Sequence, residues 1–360
     1  MNKENKETKV AKKKVATSKT KAKARVGRPL STIVVGGDFG FGNIKLSYTD
    51  STEGKIKKMC LKSAIEPEVE SELGDTIYID GKPCSLTTRN KLSETGEKVK
   101  DNQYTKLNIW RGLFEISKAT NFTVKNFVVG VGCSLDTYRE KESLKAFRDN
   151  LLENRKNTVE YYWINPLTKK KEYKKVTLYI KDIIIQPETL SAVYNIKGFN
   201  PNMLNIVTDL GCLNSQIVKF QGAPDCDNAV CTDLGFDYIV KKIVSKCRAK
   251  KINVDSVTIE NCINNIEECR EDIKTEIEDY ILNTFLKETL QKEMIKTGVD
   301  VSLAQPVFVG GTSLIFKDYI LQVFPNALFP QDMLHANSLG IYERTKRAWE
   351  RMQKTVSEGA

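Results

Sequence analysis

Apolar runs that end in short polar turns recur along this chain and divide it into strands and helices. The apolar run at 33–35 opens a strand expected over 33–38, and 43–48 alternate, with Ile44, Leu46 and Tyr48 on one side. Together they predict a β-hairpin around a glycine-rich turn. Residues 50–100 are polar, with a strand expected at 76–80, and read as an inserted, mobile subdomain. Helical spacing of Leu107, Trp110, Leu113 and Phe114 predicts a helix over 102–119, followed by a buried strand at 125–131 and a helix at 143–154. Residues 158–164 and 173–185 predict a long hairpin turning at Asn165 and Pro166. The lysines at 169–171 and 174–175 read as a solvated edge that discourages edge-to-edge pairing. At Ile185, Gln186, Pro187 and Glu188 an apolar strand gives way to a helix, with Pro187 expected in its first turn. Gln186 then stands at the carboxyl end of a sheet strand, where ligand sites collect in α/β proteins.

The opening pattern returns in the second half. Residues 204–209 form an apolar strand ending in Asp209, the segment from Leu210 to Ser215 turns, and 216–220 return as a strand. Apolar strand, Asp-x-Gly, polar turn and strand therefore occur twice, which points to internal duplication. An amphipathic helix follows at 233–247, then a charged, helix-rich stretch over 263–296. A buried strand at 305–309 runs into Gly310 and Gly311, with a helix expected at 314–322 and a last one at 337–352.

Charge sharpens this division. The net charge of +10 over 360 residues is concentrated at the start. Residues 1–30 carry eleven Lys and Arg against Glu4 and Glu7, so the remaining residues are close to neutral. With almost no large apolar side chains, 1–30 read as a disordered basic tail, suited to DNA or another polyanion through counterion release or to a plain solubilising role. Arg25, Val26, Gly27, Arg28 and Pro29 resemble the Arg-Gly-Arg-Pro core of an AT-hook, with Val26 as the departure. Nine cysteines, no C-x-x-C pair and a single histidine, His335, argue against a disulfide scaffold, a zinc site, and Ser-His or Cys-His catalysis. Cys133, Cys212 and Cys231 read as small buried residues. No apolar run reaches membrane-spanning length, so the expectation is a cytoplasmic protein without a membrane partner.

Within the first turn, Asp38, Gly40, Phe41, Gly42, Asn43 and Lys45 combine a carboxylate, glycines and a lysine. Glycines let an anion approach backbone amides, the carboxylate suits a hydrated divalent cation, and the lysine suits phosphate oxygens. A glycine-bearing hairpin with no ligand fits that stretch equally well. Likewise the Gly310–Gly311 turn is either an anion-binding helix start or an ordinary strand–turn–helix joint.

In order, these segments resemble the actin superfamily of ATPases. Asp38, Gly40, Gly42 and Lys45 match its first phosphate loop, and Asp209, Leu210 and Gly211 its second. Val309, Gly310, Gly311, Thr312 and Ser313 match its adenosine motif. Gln186 falls in the first connecting segment, and Ala336, Asn337, Ser338, Leu339 and Gly340 resemble the second. The resemblance spans about residues 33–345. Within the superfamily the chain looks most like bacterial plasmid-segregation actins of the ParM type.

That resemblance implies an α/β, actin-like two-domain ATPase fold, built from duplicated ribonuclease H-like domains around a nucleotide cleft. Residues 31–200 would form domain I, with 50–100 inserted. Residues 201–334 would form domain II, and 335–360 a C-terminal helix returning to domain I. It implies Mg²⁺ held through waters by Asp38 and Asp209, and ATP (GTP left open) cradled by Gly40, Phe41, Gly42, Asn43, Lys45, Gly211, Cys212, Leu213, Gly310, Gly311, Thr312 and Ser313. Gln186 is the first candidate to orient the attacking water and Glu188 the reserve, with Asp209 completing the catalytic set. The implied activity is ATP hydrolysis coupled to filament assembly that segregates plasmid or phage DNA. Its partners would be further copies of the chain, a centromere-binding adaptor, and DNA or another polyanion at the tail. Two rival readings stand beside it: a sugar-type small-molecule kinase on the same fold, and a non-filament ATP-dependent DNA-binding scaffold.

Overall fold

The computed structural model of the protein describes residues 32–49, 54–69, 76–86, 103–164 and 168–358. The basic tail, its AT-hook-like run and parts of 50–100 lie outside the described residues.

Among the described residues the first half supplies nine strands: β1 (Thr32–Phe39), β2 (Asn43–Thr49), β3 (Ile56–Lys62), β4 (Ile65–Pro67), β5 (Thr76–Ile79), β6 (Lys82–Leu86), β7 (Asn126–Cys133), β8 (Lys156–Ile164) and β9 (Lys171–Pro187). Its helices are α1 (Gln103–Ala119), α2 (Leu135–Arg139), α3 (Lys141–Leu152) and α4 (Glu188–Ala192). The strands form one sheet in the order β3-β2-β1-β7-β9-β8-β5-β6-β4. Its centre is parallel, β1 with β7 and β7 with β9, and both flanks are antiparallel. Every residue of β7 is buried, the continuous apolar run expected of a central strand covered on both faces.

The second half supplies β10 (Asn205–Leu210), β11 (Ser215–Gln221), β12 (Ala223–Pro224), β13 (Val230–Thr232) and β14 (Gln305–Val309). A second sheet runs β12-β11-β10-β14, with β13 also paired to β11. Helices α5 (Phe236–Ala249), α6 (Ser256–Asn264) and α7 (Glu271–Asp279) lead into a π-helical stretch, Tyr280–Leu290, and α8 (Gln291–Ile295). After β14 come α9 (Gly311–Ile315), α10 (Lys317–Val323) and the long α11 (Ala336–Glu358).

The two sheets share a plan. In each, an antiparallel hairpin carries an aspartate near the end of its first strand, Asp38 in β1 and Asp209 in β10. That strand then pairs in parallel with a later one, β7 or β14. The chain returns at its end, because α11 packs against β1 and β7 of the first sheet. Glycines make this close packing feasible. Gly36 and Gly130 face each other in register, and a Cβ on Gly36 would overlap the α11 backbone at Ser338 and Tyr342. A Cβ on Gly130 would meet Ile341 and Thr345, and Gly340 in turn lies against the Ser191 carbonyl of α4.

Several local expectations shift. Pro187 is the last residue of β9 and has extended backbone (φ −71°, ψ 130°), so the helix begins at Glu188 rather than with Pro187 in its first turn. Pairing of Pro187 with Cys133 of β7 keeps the strand extended to that point. The helix expected at 314–322 begins at Gly311 and breaks at Phe316. Cys133 is buried, but Cys212 and Cys231 are only half-buried. No disulfide framework was expected, yet one local bridge joins Cys262 and Cys269 across seven residues. Among the described residues no helix is long and apolar enough to cross a membrane.

Candidate active site between two hairpin turns

The site assembles where the two hairpins meet. Asp38 sits near the end of β1, 4% exposed, directly across the hairpin from Lys45, whose Nζ donates to its Oδ2 at 3.1 Å. The turn between them is braced by Ser63, whose hydroxyl donates to the Gly40 carbonyl and whose backbone N–H donates to that of Gly42 at 3.3 Å. A Cβ on Gly40 would crowd the Asn43 carbonyl at 3.1 Å, so glycine permits the tight reversal into β2. Asn43, half-buried, opens that strand.

In the second sheet Asp209 is 6% exposed and accepts from Asn337 Nδ2 at 3.0 Å and, more weakly, from Thr189 Oγ1 at 3.5 Å. Its turn is closed by Gly211 N–H donating to the Asn214 carbonyl at 2.9 Å. The Gly211 carbonyl accepts from Thr312 Oγ1 at 2.6 Å, which ties the Asp209 turn to the turn after β14. In that turn Gly310 has φ +92°, the left-handed region that favours glycine, and a Cβ there would strike Asp209 and Leu210. Gly311 opens on empty space, with nothing within 4 Å of where its Cβ would lie. Ser313 is buried and its hydroxyl donates to the Val309 carbonyl at 2.6 Å, so it serves the helix start.

The two turns touch. A Cβ on Gly42 would lie 3.7 Å from the Cys212 Cβ, and Phe41 and Leu213 bury against one another with Tyr104 and Cys212 alongside. Charge converges on the same place. Burial works to lower the Lys45 ammonium, but Asp38, and beyond it Asp209 and Glu188, outweigh that and hold it above its ordinary value. Buried carboxylates from both sheets, Asp38 and Asp209, and from the start of α4, Glu188, thus act on one lysine.

Glu188 and Gln186 part company here. Glu188, 6% exposed, belongs to the field around Lys45, and Gly132 of β7 leaves room for it; a Cβ on Gly132 would come within 2.6 Å of its side chain. The Gln186 Oε1 instead accepts from Arg344 Nε of α11 at 2.8 Å, and Arg344 also lies over the Tyr194 ring at 5.8 Å. Sequence reading missed Thr189, Asn337 and Arg344 as contributors. Asn337 lay within a recognised segment, but its reach to Asp209, 128 residues away, is a tertiary fact.

Burial first, then the Asp237 and Glu260 carboxylates, pushes the Cys212 thiol up to about 11. At pH 8 roughly one molecule in a thousand would carry the thiolate there. Iodoacetamide at pH 8 is therefore expected to label exposed Cys60 and spare Cys212, as read by peptide mass. Equal labelling of the two would contradict the burial argument.

Residues 1–109 match a model of the ribosomal protein L4/L1 family, under a third of the chain and none of the second sheet. No curated protein sequence matches this chain. Solved structures match it nearly end to end. An archaeal actin homologue in complex with ADP aligns with TM-score 0.63 and 17% identity, covering 88% of this chain and 99% of that one. The apo psk41 ParM protein aligns at 0.61 and 15%, covering 89% and 99%. AlfA from the B. subtilis plasmid pLS32, solved as a filament, aligns at 0.54 and 15%, covering 86% and 97%. The chain has the two-sheet, actin-like fold of the ParM-type proteins.

Proposed function

We propose that this protein is an actin-like ATPase that binds Mg-ATP between its two hairpin turns, assembles into filaments, and hydrolyses the nucleotide to move plasmid or phage DNA. The observation that carries this reading is the convergence of Asp38, Asp209 and Glu188 on half-buried Lys45, with the two aspartates in hairpins of different sheets. Domain I (31–200) and domain II (201–334) would close on the nucleotide, with α11 returning to the first. Likeness to a ParM protein, to an ADP complex and to a filament supports the same reading.

Among the described residues no three His, Cys, Asp or Glu side chains gather to cage a metal directly. That donor set still fits Mg²⁺, which keeps its waters and commonly takes one or two carboxylates plus substrate phosphates. Asp38 and Asp209 would hold it through water. When bound it supplies neutralisation of phosphate charge. The remaining work falls to the chain itself. Lys45 would contact phosphate oxygens, and the backbone of Gly40, Phe41, Gly42 and Asn43 would face Gly211, Cys212 and Leu213 across them. The open space at Gly311 would admit the nucleoside side, with Gly310, Thr312 and Ser313 holding the turn. Glu188 would accept a proton from, or orient, the attacking water, and Gln186 would act from behind it through Arg344. Further copies of the chain are the filament partners, and a centromere-binding adaptor and the tail (1–30) are the routes to DNA.

Sedimentation of the full chain with Mg-ATP, Mg-ADP, Mg-GTP and no nucleotide tests this. Pelleting with ATP that reverses as phosphate is released is the expected outcome. Turnover that requires an added sugar acceptor, with no pelleting at any protein concentration, would overturn it in favour of a small-molecule kinase.

A further inference from the structure

Asn337 occupies the first turn of α11 and is 7% exposed. Its amide is used on one side only. Nδ2 donates to Asp209 Oδ2 at 3.0 Å, while Oδ1, on the same amide carbon, is buried without a partner among the described residues. Exchanging the two amide atoms does not cure this, because a carbonyl oxygen would then face a carboxylate oxygen. A buried acceptor with no donor is destabilising, and such groups in native proteins usually mark a bound water, an ion or a catalytic role.

The position of Asn337 does not depend on that amide. Next to it, Ser338 and Ser47 of β2 hydrogen-bond at 3.0 Å, and Leu339 N–H donates to the His335 carbonyl at 2.8 Å. Gly340 is wedged against α4. Helix α11 is therefore fixed to the first sheet, and Asn337 reaches from it to the carboxylate of the second.

Resting on the nucleotide reading above, we propose that Asn337 is a positioning residue for the reaction. Its Nδ2 fixes the Asp209 carboxylate, and its Oδ1 accepts a hydrogen bond from a water that enters with the nucleotide. The residue thereby links the C-terminal helix to the state of the cleft.

The test compares full-length wild type, Asn337→Ala and Asn337→Asp. ADP affinity is measured by calorimetry with and without Mg²⁺, beside ATP turnover and thermal midpoint. Asparagine to aspartate keeps the shape and the acceptor but removes the donor to Asp209. Expected for Asn337→Ala are an unchanged midpoint, Mg-free ADP affinity within about threefold, a several-fold smaller gain in affinity on adding Mg²⁺, and a kcat lowered at least tenfold with KM little changed; Asn337→Asp, which sets a second carboxyl group against Asp209, should lower kcat at least as far. Wild-type turnover and Mg²⁺ response in Asn337→Ala would overturn the proposal. So would a fall in midpoint that accompanies an equal loss of Mg-free affinity, since that marks a structural residue. A wild-type protein that binds no nucleotide at all would instead sink the nucleotide reading itself, and this inference with it.

Discussion

Replacing Glu188 by glutamine is expected to slow phosphate release at least about a hundredfold, the usual contribution of a positioned general base, while nucleotide affinity changes only a few-fold. Glutamine keeps the size of the side chain and its fit beside Gly132, so the substitution isolates the carboxylate. Filaments of this variant should assemble with ATP and persist. Gln186→Ala is expected to have a smaller effect, matched by Arg344→Ala, because the two side chains hold one another. Single-turnover phosphate release separates the candidates. A Gln186→Ala defect as deep as that of Glu188→Gln, and absent from Arg344→Ala, would return the water-orienting role to Gln186.

Gly340→Ala decides between local and tertiary effects of opposite sign. Inside a helix, alanine in place of glycine is favourable by about 1 kcal/mol. Here the added methyl would overlap the Ser191 backbone carbonyl, which cannot rotate away as a side chain tip does. Overpacking of this kind costs about 1–3 kcal/mol and sometimes more. The tertiary effect is expected to win, with a thermal midpoint several degrees lower and weaker docking of α11 on α4. Gly311→Ala is the matching control, since nothing lies within 4 Å of its added methyl and its backbone is not left-handed. Scanning calorimetry should show Gly340→Ala well below wild type and Gly311→Ala close to it. A midpoint raised by Gly340→Ala would mean that helix propensity outweighs the contact.

Much of the fold was legible because periodicity and turn chemistry are local. Both Asp-bearing hairpins, the buried run of β7 and the strand before Gly310 follow from apolar runs that end at glycine or aspartate. Boundaries moved where pairing overrode local preference, as at Pro187, which β7 holds in the strand. What stayed hidden in the site depends on partners far away in sequence. The hydrogen bond that Gln186 accepts from Arg344, 158 positions later, leaves no mark in the sequence. The approach of Glu188 to Gly132 and its effect on Lys45 likewise join residues that no local pattern connects. No pattern signals that Phe41 and Leu213 would bury together, since they lie in turns 172 residues apart.

That small apolar contact has a thermal consequence. Any motion that parts the two turns must wet Phe41 and Leu213, at about 1.5–3 kcal/mol for each side chain fully exposed. Hydration of apolar surface raises the heat capacity, so separating the turns carries a positive heat-capacity change of its own. The grip between the turns therefore loosens on cooling, independently of whatever the charged groups around Lys45 contribute.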